Sequence, residues 1–168
     1  KVTDEMLALW QQILSQVPHS QLFLQSKVFC YSYSREMALA RIRQAGISEE
    51  QLIIGKYGPD YLIAYQQIDI ALDTYPYPGG GTTCDALYMG VPVISRYGQR
   101  HHTRFGYSML TNVGLGECCA SSAEEYVEKA IALAADPNHL RDLHLSLRRR
   151  MQQSPLMEAS AYMMAVEQ

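Results

Sequence analysis

Between residues 21 and 95 this chain alternates apolar, strand-like runs with segments of helical character. "QLFLQS" (21–26), "QLIIG" (51–55), "DIALD" (69–73) and "VPVIS" (91–95) are short and read as strands. Between them lie a helix opened by Ser34 and closed by Gly46, and "GPDYLIAYQQI", with Pro59 in its first turn. A third segment, "TTCDALYMG", is stopped by Gly90. Strands separated by helices cannot be joined as tight hairpins. They pair in parallel through right-handed crossovers, and a doubly wound α/β fold follows.

The flanks are helical. Thr3 caps a first helix whose Met6, Leu7, Trp10, Ile13, Leu14 and Val17 recur at helical spacing before Pro18 ends it. After the fourth strand the pattern predicts a helix over 102–112 and a brief segment at 118–120. The C-terminal third reads as helices over 122–135 and 137–152, with a last piece from Glu158. Ser122 and Glu125 form a capping box there. With no internal repeat and no low-complexity linker, residues 1–168 read as one domain.

Composition removes several function classes. A net charge of -3 argues against a general nucleic-acid binder, and Arg148-Arg149-Arg150 reads as the cationic last turn of a helix. No apolar run is long enough for a transmembrane helix, and no signal-peptide pattern appears. Cys30, Cys84, Cys118 and Cys119 lack the C-x-x-C spacing of a zinc site. They read as free thiols in a reducing, cytoplasmic setting. His101 and His102, adjacent and without further ligands nearby, are not expected to hold a metal.

The strand ending at Asp73 runs into "TYPYPGGGTTCDALYMG". In an open parallel sheet, ligands sit beyond the carboxyl ends of the strands, which is where this turn falls. Successive glycine amides, the hydroxyls of Thr82 and Thr83, and a helix N-terminus together suit a phosphate or pyrophosphate. The spacing is neither G-x-G-x-x-G nor a P-loop. Thr82-x-x-Asp85 is equally a plain capping box, satisfying the helix end with no ligand. Both readings stand on the residues alone.

"DIALDTYPYPGGGTTCDALYMGVPVIS", then "GQRHHTRFGYSMLTNVGLGE" and "SPLM", resembles the donor-binding lobe of the O-GlcNAc transferase and SPINDLY-like glycosyltransferases. The resemblance runs from "KVTDEMLALWQQIL" to the final helix. It implies a Rossmann-like parallel sheet sandwiched by helices, one lobe of a GT-B fold, with the helical C-terminal third attached. It also implies the donor-binding part of an inverting, metal-independent enzyme that moves GlcNAc from UDP-GlcNAc to Ser or Thr of proteins, needing no cofactor. "LYMGVP" and "LTNVGLGE" lean towards the SPINDLY branch, which makes GDP-fucose the alternative donor. A non-catalytic nucleotide-sugar-binding module is the reading from another class.

Residue by residue, the resemblance implies a diphosphate held by Gly80, Gly81, Thr82 and Thr83, and a ribose held by Asp85. Family members carry hydroxyl or imidazole side chains where this chain has Gly80 and Gly81, so backbone amides would carry more of the binding here. Lys1 matches a lysine that neutralises the departing diphosphate. Tyr61 stands where a histidine faces the base, with Lys56 and Tyr57 close by. His101 and Arg104 match residues of the loop after the fourth strand. Tyr75 and Tyr77 fix the exit from the third strand. The family's acceptor lobe, and the tetratricopeptide repeats through which it meets protein acceptors, have no counterpart in the chain, and Lys1 is not an initiator Met. The expectation is a piece of a longer enzyme, inactive alone, whose partners are a nucleotide sugar and a protein acceptor, with neither nucleic acid nor membrane.

Overall fold

The computed structural model describes residues 2–167; Lys1 lies outside the described residues. The first helix, α1 (Asp4–Gln16), begins as its sequence predicts. The Thr3 hydroxyl accepts the Met6 amide at 3.2 Å, and Met6, Leu7, Trp10, Ile13 and Leu14 are buried. Five short strands follow among the described residues: β1 (Leu22–Leu24), β2 (Leu52–Ile54), β3 (Ala71–Leu72), β4 (Val93–Arg96) and β5 (Cys119–Ala120). Every pairing is parallel, as crossovers through helices require. The strands form two hydrogen-bonded groups, β1–β2 and β3–β4–β5. The "CCA" segment, left open by its sequence pattern, is the third strand of the larger group.

Helices α2 (Ser32–Gln44), α3 (Gly81–Tyr88) and α4 (Phe105–Asn112) connect successive strands, and α5 (Ala123–Ala134), α6 (Pro137–Gln152) and α7 (Ala159–Val166) complete the helical C-terminal third. The core is an apolar junction. Helix α1 packs on α5, α5 on α6, α6 on α3, and both α4 and α5 lie against β4. Leu87, Leu110 and Leu147 are fully buried there. Each such side chain contributes roughly 1.5–3 kcal/mol through the apolar surface it removes from water.

Local differences from the sequence pattern have physical causes. Helix α2 starts at Ser32, two residues before Ser34, because a 3₁₀ turn over Lys27–Cys30 hands the chain over at Tyr31. Residues 58–68 form a 3₁₀ helix over Tyr61–Gln67 in place of an α-helix. None of its residues is buried, so no packed face holds the wider α geometry. The predicted 102–112 helix is split into a 3₁₀ turn, His101–Arg104, and α4. Ser122 caps α5 by accepting the Glu125 amide, while the Glu125 carboxylate goes to Ser121, so only half of the predicted box forms. No helix among the described residues is long and apolar enough to cross a membrane.

Candidate functional site

The glycine turn sits where β3 ends, and one buried carboxylate shapes it. The ladder between β3 and β4 extends one step past Leu72, with the Asp73 amide donating to the Ile94 carbonyl at 2.9 Å. That places the Asp73 side chain under the turn, only 8% exposed. Its Oδ1 accepts the Gly79 amide at 2.5 Å and the Thr74 amide at 3.0 Å, and Oδ2 accepts the Ser95 hydroxyl at 2.8 Å. The Thr83 hydroxyl is a further donor toward it. Burial pushes its pKa up to about 6, against the opposing pull of these hydrogen bonds. Nothing in the residue pattern marks this role beyond an aspartate at a strand end.

The three glycines are not equivalent. A Cβ on Gly79 would come within 2.6 Å of the Thr83 Oγ1 and would also meet Asp73, so the close approach of turn and carboxylate requires glycine there. Cβ atoms on Gly80 or Gly81 would meet nothing within 4 Å. These two positions face open space.

Gly80 is the N-cap of α3, with φ -106° and ψ -89°, and no side chain caps the helix. The capping box expected from Thr82-x-x-Asp85 therefore does not form. The helix begins at Gly81, so Thr82 lies inside the first turn instead of at the cap, two positions out of phase for boxing with Asp85. The Thr83 and Cys84 amides donate to the Gly80 carbonyl at 3.1 Å, which leaves the Gly81 and Thr82 amides and the Asp85 carboxylate without a capping role. Thr82 is exposed, whereas Thr83 is buried against Asp73.

Two tyrosines of the 3₁₀ helix Tyr61–Gln67 bracket this end of α3. The Tyr61 hydroxyl donates to Asp85 Oδ2 at 3.1 Å, and that bond raises the phenol's pKa. The Tyr65 hydroxyl donates to the Thr82 carbonyl at 3.1 Å, and burial raises its pKa to about 12. Tyr65, Asp73, Thr82 and Thr83 line a cavity of about 130 Å³, with Leu72 and Val93 among its apolar walls.

The loop after β4 forms the neighbouring wall. His101 packs edge-on against Phe105, with ring centres 5.2 Å apart, while His102 stacks on Tyr77 at 5.1 Å. The two imidazoles thus face different aromatic partners. Arg104 donates to the Gly98 carbonyl at 3.3 Å and lies over the Tyr107 ring at 4.8 Å. Arg96, at the end of β4, pairs with Glu5 of α1 at 2.6 Å and lies over Tyr75 at 4.1 Å. The structure gathers Tyr61, Gly80, Gly81, Thr82, Thr83 and Asp85 around one helix N-terminus, with His101 on the loop after the adjacent strand. Ser95 and Gly106 belong to the site as its support, which residue types alone do not announce. A Cβ on Gly106 would lie 2.8 Å from Asp73 Oδ2.

Parallel strands, crossover helices and a helical C-terminal third define a Rossmann-like lobe of GT-B type. Residues 1–166 match the model of glycosyl transferase family 41, and the chain belongs to that family. The tomato (Solanum lycopersicum) protein named probable UDP-N-acetylglucosamine–peptide N-acetylglucosaminyltransferase SPINDLY is 40% identical over 99% of this chain and 18% of its own length. The Arabidopsis thaliana relative named SEC is 29% identical over the same share of this chain and 17% of its own. A solved structure, the K341M mutant of the Thermobaculum terrenum O-GlcNAc transferase, superposes with a TM-score of 0.81 at 33% identity. It covers 89% of this chain and 29% of that one. The chain therefore spans under a fifth of the length of these curated relatives.

Proposed function

We propose that this chain forms the donor-binding lobe of a protein O-glycosyltransferase, with UDP-GlcNAc as the donor and Ser or Thr hydroxyls of proteins as acceptors. The observation that carries this reading is the uncapped N-terminus of α3. Its amides open at Gly80 and Gly81 beside the Thr82 hydroxyl, and Asp85 stands clear of any capping role. A diphosphate meets converging N–H groups and the positive end of the helix there. Asp85 accepts hydrogen bonds from the ribose hydroxyls, displacing Tyr61 or sharing the carboxylate with it. Thr83, expected from the resemblance to meet the diphosphate, is buried and gives its hydroxyl proton to Asp73, so it supports the turn from below. The names carried by the tomato and Arabidopsis relatives support the donor and the peptide acceptor.

In this reading the chemistry is inverting and metal-independent. Charge growing on the departing diphosphate is met by oriented amides and by Lys1, a preorganised electrostatic stabilisation. His101, exposed on the loop after β4 and packed edge-on against Phe105, is the remaining residue assigned to the nucleotide sugar. The part of the protein that recognises the acceptor lies outside this chain, in the lobe and repeats that the family resemblance implies.

GDP-fucose is the second donor reading, resting on the resemblance of "LYMGVP" and "LTNVGLGE" to the SPINDLY branch, while the names of both relatives give UDP-N-acetylglucosamine. Calorimetric titration with UDP, GDP and their sugars tests both. Selective binding of UDP and UDP-GlcNAc supports the first, and selective binding of GDP and GDP-fucose the second. Binding of neither nucleotide would remove the donor-site assignment.

A further inference from the structure

The geometry points to Asp73 as the positioning residue of the diphosphate turn: its buried carboxylate joins the Gly79 amide to Ser95 of the neighbouring strand, and so sets where the turn presents its anion-binding groups. This inference rests on the donor-site reading above and adds to it the residue on which diphosphate affinity depends without contact.

Three observations converge. The carboxylate uses both oxygens, Oδ1 towards the turn through Gly79 and Thr74, and Oδ2 towards β4 through Ser95. Space around it is closed by glycine on both sides, since a Cβ at Gly79 or Gly106 would collide with the cluster. The backbone behind it is also held. The Tyr126 hydroxyl donates to the Asp73 carbonyl at 2.9 Å, and the Trp10 indole N–H donates to that hydroxyl at 3.2 Å. Helices α1 and α5 thus anchor the strand end, and the carboxylate carries that anchoring across to the turn. Gly80, Gly81 and Thr82 follow Gly79 directly, so an error in the Gly79 position is passed to every amide beyond it.

Positioning and charge make opposite predictions. A buried carboxylate beneath an anion site repels a phosphate, so deleting it should tighten binding if its charge dominates. If its role is geometric, deletion should weaken diphosphate binding. Asn, whose carbonyl accepts from Gly79 while its amide donates to the Ser95 oxygen, should then restore it.

The test is calorimetric titration of the protein with UDP and with uridine, which lacks the phosphates, in wild type, Asp73→Ala, Asp73→Asn and Ser95→Ala. The inference expects D73A to lose UDP affinity by about tenfold or more, with uridine changed less than about twofold. D73N should stay within about threefold of wild type for both ligands. Ser95→Ala, which frees Oδ2 without touching the turn, should weaken UDP by about threefold and leave uridine alone. It decides the matter if D73A does not fold. Equal losses for UDP and uridine would mean a merely structural role and overturn the inference, as would tighter UDP binding by D73A or an unchanged S95A. A wild-type protein that bound neither ligand would overturn the donor-site reading first, and this inference with it. If GDP and not UDP binds, the same comparison is made with GDP and guanosine.

Discussion

The Tyr61 hydroxyl donates to Asp85 Oδ2 across 3.1 Å, joining the 3₁₀ helix before β3 to the first turns of α3. Tyr61 is 41% exposed, so water competes for this bond, and its strength lies well below that of a buried pair. In the proposed site the ribose competes for the same carboxylate. Tyr61→Phe should therefore bind UDP about two- to fivefold more tightly, because Asp85 is released without loss of the ring. Asp85→Ala should weaken UDP by about tenfold or more, with little change in melting temperature, since Asp85 caps nothing. Calorimetric titration and thermal denaturation of both variants check this. An Asp85→Ala protein that bound UDP normally would contradict the assignment.

The same substitution should have opposite signs at two glycines. Gly81 opens α3 in free space, so Gly81→Ala removes backbone entropy from the unfolded chain and should stabilise the protein by about 0.5–1 kcal/mol. Gly106 lies against Ser95 and Asp73, and Gly106→Ala forces a methyl into that cluster. It should destabilise by about 1–3 kcal/mol, as overpacking commonly does. Urea unfolding of the two variants measures both values.

Tyr126 is fully buried, and its hydroxyl is both acceptor for the Trp10 indole and donor to the Asp73 carbonyl. Burial holds its phenol well above the ordinary tyrosine range, so it stays neutral and continues to donate. Tyr126→Phe leaves a buried N–H and a buried carbonyl without that partner. The expected cost is about 3 kcal/mol, since each group loses a bond that water cannot replace. A loss under half of that in urea unfolding would show that one of the two finds another partner.

Asp73 also makes a stability prediction with a definite sign. Its folded pKa, about 6, lies above its ordinary value of 3.8. Between those values the native state binds more protons than the unfolded chain, so stability falls as pH rises from about 4 to about 6. That rise in pKa corresponds to about 3 kcal/mol. Glu125 works in a lower window. Its folded pKa is drawn down to about 2, chiefly by the Ser121 amide, so its stabilisation is present above about 4.5 and lost as pH falls toward 2. Urea unfolding from pH 3 to 7 should show the decline above pH 4 in wild type and its absence in Asp73→Asn. Equal slopes in the two proteins would refute the raised pKa.

Much of this was legible in residues 21–95. Period and length separate strands from helices because a strand side chain alternates faces while a helical one returns every 3.6 residues. That is why α6 begins and ends where its pattern says, and why parallel pairing followed from the crossovers. The residues around the α3 N-terminus were legible too, from turn chemistry and from the family resemblance. Residues 58–68 hold a helix, as their pattern predicts, but a 3₁₀ one, because no buried face holds the wider α geometry in so short a piece. The Thr82–Asp85 box failed by two positions, because the N-cap falls at Gly80, directly after the held Gly79.

The parallel α/β class, the helical C-terminal third, and the glycine turn at a strand's carboxyl end are all encoded in the linear order of residues. These depend on properties local in the chain: period, turn residues and apolar runs. Packing in three dimensions makes Gly79 and Gly106 necessary, while Gly80 and Gly81 face open space. It alone makes Asp73 the centre of the turn and Tyr61 the partner of Asp85. Those facts join residues 6 to 53 positions apart, and hydrogen bonds at such separations follow from packing, which no local pattern encodes.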